Sequence, residues 1–127
     1  MSIKTPLARV RGLGAARQGV AHFWAQRVTA IALVPLTIWF LASIVAFASA
    51  DYDAIVIYMR RPSVTVLFLL FLSTGFYHMK LGLQVVVEDY IAREGTKIAA
   101  LVLVNFFAVA AGALALFSVL KLALQYP

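Results

Sequence analysis

Three runs of apolar residues dominate the chain, from Val28 to Ala50, from Pro62 to Val87 and from Ile98 to Leu120. Each is long enough to cross the roughly 30 Å hydrocarbon core of a bilayer, for which a helix needs about 20 apolar residues. The first and third hold no charged residue, while the second contains His78 and Lys80. None alternates as a membrane β-strand does, and lipid offers no hydrogen-bond partners, so each run must satisfy its own backbone as a helix. The pattern predicts an all-α membrane protein with three transmembrane helices, over about 25–50, 62–90 and 97–124. Residues 1–24 form a basic N-terminal segment ahead of this three-helix domain. The connections "DYDAIVIYMRR" and "EDYIAREGTK" are too short for a soluble catalytic domain, and the first is apolar enough to lie at the interface.

Composition agrees, since hydrophobic residues make up 64% of the 127 positions, against roughly 45–50% in soluble proteins. Cysteine is absent, so the chain offers no disulfide, thiolate ligand or iron-sulfur ligand. Any metal must be held by other groups, of which the two histidines are the only good candidates. The first apolar run begins too late and runs too long for a cleaved signal peptide, so it is expected to be a retained span.

Charge orients the chain. Lys4, Arg9, Arg11, Arg17 and Arg27 precede the first span, and Arg93 and Lys97 follow the second; Arg60, Arg61 and Lys121 fall on the other side. The positive-inside rule places the N-terminus in the cytoplasm and the C-terminus outside. The basic leader is either a solvated tail attracted to the lipid bilayer's anionic headgroups or a docking strip for a soluble partner. Nothing in it points to nucleic acid. Its "GLGAAR" is not a dinucleotide fingerprint, because no strand precedes it and Arg17 stands where the third glycine belongs. Trp24 and His22 stand at the entry of the first span, where an indole anchors at headgroup level. Pro35 is expected to kink that helix or open its backbone. The Ala-rich third span suits close packing, with Asn105 bonding across the contact.

The stretch "GFYHMKLGLQVVVEDY", Gly75 to Tyr90, concentrates the chemistry. At about 100° and 1.5 Å per residue, the eleven steps from His78 to Asp89 return to within about 20° of the same direction, roughly 16 Å along the axis. With Asp89 at the cytoplasmic boundary, His78 lies near the midplane, beside Gly82, which leaves room for something flat. An intramembrane imidazole is a functional candidate by default. It can ligate haem iron, relay protons or hydrogen-bond a neighbouring helix for packing. Only one such histidine is present, so a bis-histidine haem needs a ligand from a partner subunit. Lys80 points nearly opposite and must face protein, water or an anionic group such as a haem propionate, unless it simply reaches the interface. Glu88, Asp89 and Tyr90 form either a solvated helix end or a polar mouth that binds a carbonyl ligand through the phenol and supplies protons through a carboxylate.

"HFWAQRVTAIAL" followed by "YHMKLGLQVVVEDYI" resembles the hydrophobic membrane-anchor subunits of succinate dehydrogenases, the small three-helix subunits of respiratory complex II, in their alphaproteobacterial form. The resemblance runs from about Gly19 to the end of the chain and rests on H-x3-G-x-Q-V-x3-D-Y and the earlier QR-x-TA block. It implies a bacterial inner-membrane subunit of a heteromeric helical bundle, with a cytochrome b subunit, an iron-sulfur subunit and a flavoprotein subunit as partners. It implies further that His78 is an axial ligand of haem b, with the other ligand on the cytochrome b subunit, and that Arg27 lies near the haem propionates. Tyr90 would hydrogen-bond a ubiquinone carbonyl, with Asp89 beside it in the pocket. The reading of another class is a small transporter or proton channel that uses His78, Lys80 and Asp89 as a relay.

Overall fold

A computed structural model describes residues 5–10 and 16–125. Of the leader, residues 1–4 and 11–15 lie outside that description, and with them Lys4, Arg11 and most of "GLGAAR". The chain forms α1 (Pro6–Val10), α2 (Ala16–Ala46), α3 (Tyr52–Met59), α4 (Pro62–Tyr90) and α5 (Glu94–Leu124), with no strand among the described residues. Three helices are long and apolar enough to cross a membrane: Gly19–Ala46 within α2, α4 and α5.

The bounds of α4 are those the apolar pattern predicts, whereas α2 starts earlier and stops sooner than expected. Its first turns carry Arg17, Gln18, His22 and Gln26 among apolar residues; a helix emerging from lipid need not be apolar to stay helical. At its other end the chain leaves the helix after Ala46 in a turn, where the Ala50 amide donates to the Phe47 carbonyl at 3.1 Å. Asp51 then caps α3, its side chain accepting the Ala54 amide at 3.1 Å. The partly apolar outer connection is thus a two-turn helix. α2 is continuous through Pro35, which can donate no amide to the Ile31 carbonyl.

α4 opens with Pro62, whose missing N–H falls where a helix has no use for one. It ends at Tyr90, and extended backbone at Ile91 and Arg93 turns the chain straight into α5. α4 packs against both α2 and α5, while among the described residues no Cα of α2 comes within 8 Å of one in α5. The three spans form an open layer with α4 in the middle.

Small residues set the spacing on both sides of α4. On the α5 side, a Cβ at Gly112 would sit 3.5 Å from the Phe76 ring; on the α2 side, one at Gly75 would meet Leu33 at 4.0 Å. Such residues let helix backbones approach where lipid supplies no hydrophobic drive for association. Further down, Trp39 meets Phe68 edge-on with centroids 4.9 Å apart, and Phe40 stacks on Phe71 at 4.6 Å. The buried cluster of Met59, Val64 and Val119 lies at the same end, with Tyr58 and Leu122 against it. There the Tyr58 and Ser43 hydroxyls hydrogen-bond at 2.8 Å, and Tyr58 stacks on Phe47. Most of the chain's buried side chains therefore sit at the Tyr58 end, with Leu81 and Ala108 buried separately nearer the other end. Long outward faces remain uncovered, with Ile31 71% and Phe106 73% exposed, as suits helices meeting lipid or other subunits.

Candidate functional site

His22, Gln26, Thr29 and Leu33 recur at helical spacing along α2, and the last three of them meet α4 at Gly82, His78 and Gly75. The best-defined contact is between Thr29 and His78: the threonine Oγ1 lies 2.8 Å from the imidazole Nδ1. That oxygen is also 2.7 Å from the Ala25 carbonyl and 3.1 Å from the Gln26 carbonyl, one turn back on its own helix. The His78 Nε2 makes no hydrogen bond among the described residues and is not one of the enclosed unpaired polar atoms. One ring nitrogen is held inside the α2–α4 seam, and the other is left open to the surface of the layer.

One turn towards Tyr90, Gln26 occupies the space expected for a flat ligand. A Cβ at Gly82 would meet the Gln26 Nε2 at 3.7 Å, so this glycine makes room for α2. Gln26 Oε1 and His22 Nε2 are enclosed without a hydrogen-bond partner. The seam is polar from the Thr29–His78 pair to Gln26 at Gly82, and His22 follows one turn further along α2.

At that end, α4 runs unbroken from His78 to Tyr90, so the helical count holds and Asp89 lies on the His78 stripe. Asp89 is exposed and Tyr90 is 84% exposed. Glu88 is drawn aside, its carboxylate accepting from the Gln84 amide at 2.9 Å. Trp24 is also exposed at 61%, meeting Phe23 edge-on. The Arg27 guanidinium lies over the Phe23 ring, 5.1 Å from its centroid. Two residues before Thr29, it stands about 160° round α2 from the seam, so the chain alone does not bring Arg27 to His78.

Lys80 belongs to a different surface. It lines an apolar groove of about 390 Å³ between α4 and α5, with Ser73, Phe76, Tyr77, Val109 and Gly112. His78 faces α2, so the two are not members of one relay. Asn105 faces outward, its amide donating to the Leu101 carbonyl of its own helix at 2.8 Å instead of crossing to a neighbour.

No group of three or more His, Cys, Asp or Glu residues suited to a metal occurs among the described residues. What the chain offers is a single imidazole with one nitrogen pinned and the other open, which fits one axial position on a haem iron whose second ligand comes from elsewhere. Thr29, which pins that ring, is not singled out by the sequence, although its spacing from His22 and Gln26 is helical. Hydroxyls in apolar helices ordinarily bond back onto their own backbone, and this one does both.

Residues 1–113 match the family described as succinate dehydrogenase/fumarate reductase transmembrane subunit. The succinate dehydrogenase hydrophobic membrane anchor subunit of Rickettsia bellii is 32% identical over 106 residues, covering 84% of this chain and 85% of that protein. The subunit of the same name from Paracoccus denitrificans is 30% identical over 120 residues, covering 94% and 92%. No solved structure gives a significant match.

Proposed function

The chain belongs to the succinate dehydrogenase/fumarate reductase transmembrane-subunit family, and on that premise we propose that it anchors a succinate:ubiquinone oxidoreductase in the bacterial inner membrane. Its partners are then a flavoprotein subunit, an iron-sulfur subunit and a second membrane subunit, a cytochrome b. The Tyr90 end faces the cytoplasm and the iron-sulfur subunit, with the basic leader and Arg93 on the same side.

In this reading His78, through its open Nε2, would hold haem b together with a ligand from the cytochrome b subunit. Haem, when bound, supplies a one-electron store between the soluble centres and the quinone. Arg27 would meet the propionate carboxylates from the outer flank of α2. At the helix end the Tyr90 hydroxyl would donate to a ubiquinone carbonyl, and the adjacent Asp89 carboxylate would relay protons from solvent towards it. The high exposure of both groups suits a pocket whose remaining walls are other subunits. The chain binds and orients; the cofactors carry the redox chemistry.

The observation that carries the reading is the His78 ring, fixed on α2 with Nε2 open and aligned along one helical face with Asp89. A stand-alone proton channel or transporter finds less support, because Lys80 lies apart from His78 in the α4–α5 groove. The test is a pair of variants in the purified complex. His78→Ala is expected to abolish or alter the low-spin haem spectrum. Tyr90→Phe is expected to raise the quinone KM or slow quinone reduction while succinate oxidation by an artificial acceptor persists. An unchanged spectrum in the first, or equal loss of both activities in the second, overturns the corresponding role.

A further inference from the structure

We propose that Thr29 is a positioning residue that sets the tautomer of His78, keeping the proton on Nδ1 and the lone pair on Nε2. The proposal rests on the reading of His78 as a haem ligand and adds a residue to it. Three atoms decide the argument. Thr29 has one hydroxyl hydrogen, and its oxygen stands 2.7 Å from the Ala25 carbonyl and 2.8 Å from His78 Nδ1. If that hydrogen pointed at Nδ1, the hydroxyl and the Ala25 oxygen would face each other lone pair to lone pair at 2.7 Å, with nothing between them. Pointing instead at Ala25, with the Gln26 carbonyl at 3.1 Å sharing it, the hydroxyl has its lone pairs free to accept.

The partner must then be Nδ1–H, and a neutral imidazole protonated there carries its lone pair on Nε2. That is the nitrogen left open at the surface of the layer. The whole chain of donors, Nδ1–H to Thr29 Oγ1 and Thr29 Oγ1–H to the Ala25 carbonyl, is satisfied in this arrangement alone. It follows the general logic of metal-bound histidines, whose second ring nitrogen donates to a fixed acceptor that orients the ring and raises its basicity. Here the acceptor is a hydroxyl on a neighbouring helix, so docking α2 on α4 is also what prepares the ligand.

The experiment uses the full complex with Thr29→Val, which keeps the shape and removes the acceptor, and Thr29→Ser, which keeps the hydroxyl. The readouts are the haem midpoint potential by redox titration, the g-anisotropy of the ferric low-spin signal, and haem retained when haem supply is limiting. Losing the acceptor makes the imidazole a weaker donor, which disfavours the ferric state. Thr29→Val should therefore raise the potential, change the anisotropy and retain haem about tenfold less well, and Thr29→Ser should match the wild type. A valine variant indistinguishable from wild type overturns the proposal, as does a serine variant shifted equally. Should the valine complex fail to assemble, Thr29→Ala tests the same loss without the β-branch and carries the same expectations. A His78→Ala arm separates the two readings: loss of the low-spin signal there with an unchanged Thr29→Val sinks Thr29 alone, whereas persistence of the signal sinks the ligation and Thr29 with it.

Discussion

Gly112 offers a direct measure of how tightly α5 holds α4. A Cβ placed on it would lie 3.5, 3.6 and 3.7 Å from Phe76 Cγ, Cβ and Cδ2, which is ordinary van der Waals contact. Gly112→Ala should therefore fit without movement, and the alanine gains up to about 1 kcal/mol of helix propensity over glycine. Gly112→Val adds methyl groups a further 1.5 Å or so out, and Phe76 stands across their path. A ring against a helix backbone has little room to retreat, so the cost should be the usual overpacking penalty of about 1–3 kcal/mol. That is roughly a 5- to 150-fold weakening of the contact. The assay is retention of the chain in the detergent-purified complex as temperature is raised, scored for wild type, alanine and valine. Alanine should equal or exceed wild type, and valine should dissociate at lower temperature. If alanine loses as much as valine, or valine loses nothing, Phe76 does not close over Gly112 and the α4–α5 spacing described above is wrong.

Two further outcomes test whether the two ends of the layer act separately. Tyr58→Phe removes the 2.8 Å hydroxyl contact with Ser43 and should cost about 0.6 kcal/mol, the usual worth of a hydrogen bond between membrane helices. The haem spectrum should not change, and a shifted spectrum would show that the Tyr58 end communicates with His78. Lys80→Met should leave both the spectrum and quinone reduction as in wild type, since Lys80 lies in the α4–α5 groove. Loss of either would return Lys80 to the site.

The spans were legible because apolar length is dictated by the bilayer, and α4 in particular has the bounds its sequence predicts. The alignment of His78 with Asp89 was legible too, since it depends on a single helix's own period. What a single period cannot supply is the rotation of one helix against the next. For that reason Gly82 reads as space for a ligand until Gln26 is seen filling it, and Asn105 reads as a crossing contact until its amide is found on Leu101. The same limit hid Thr29, whose importance depends on which face of α2 meets α4. The early start of α2 escaped for another reason: apolarity marks where the membrane is, and a helix may continue past it.

The central place of α4 also bears on how the chain is made. α5 follows α4 through a turn of only three residues, 91–93, so this hairpin closes locally as α5 emerges. The Thr29–His78 contact joins residues 49 positions apart, and among the described residues α4 is the spanning helix whose backbone α2 approaches. A nascent chain whose α2 has not yet docked already presents His78, but with Nδ1 unpaired and either nitrogen able to carry the proton. The orientation of the His78 ring is thereby tied to the docking of α2 on α4, a step between segments far apart in the sequence.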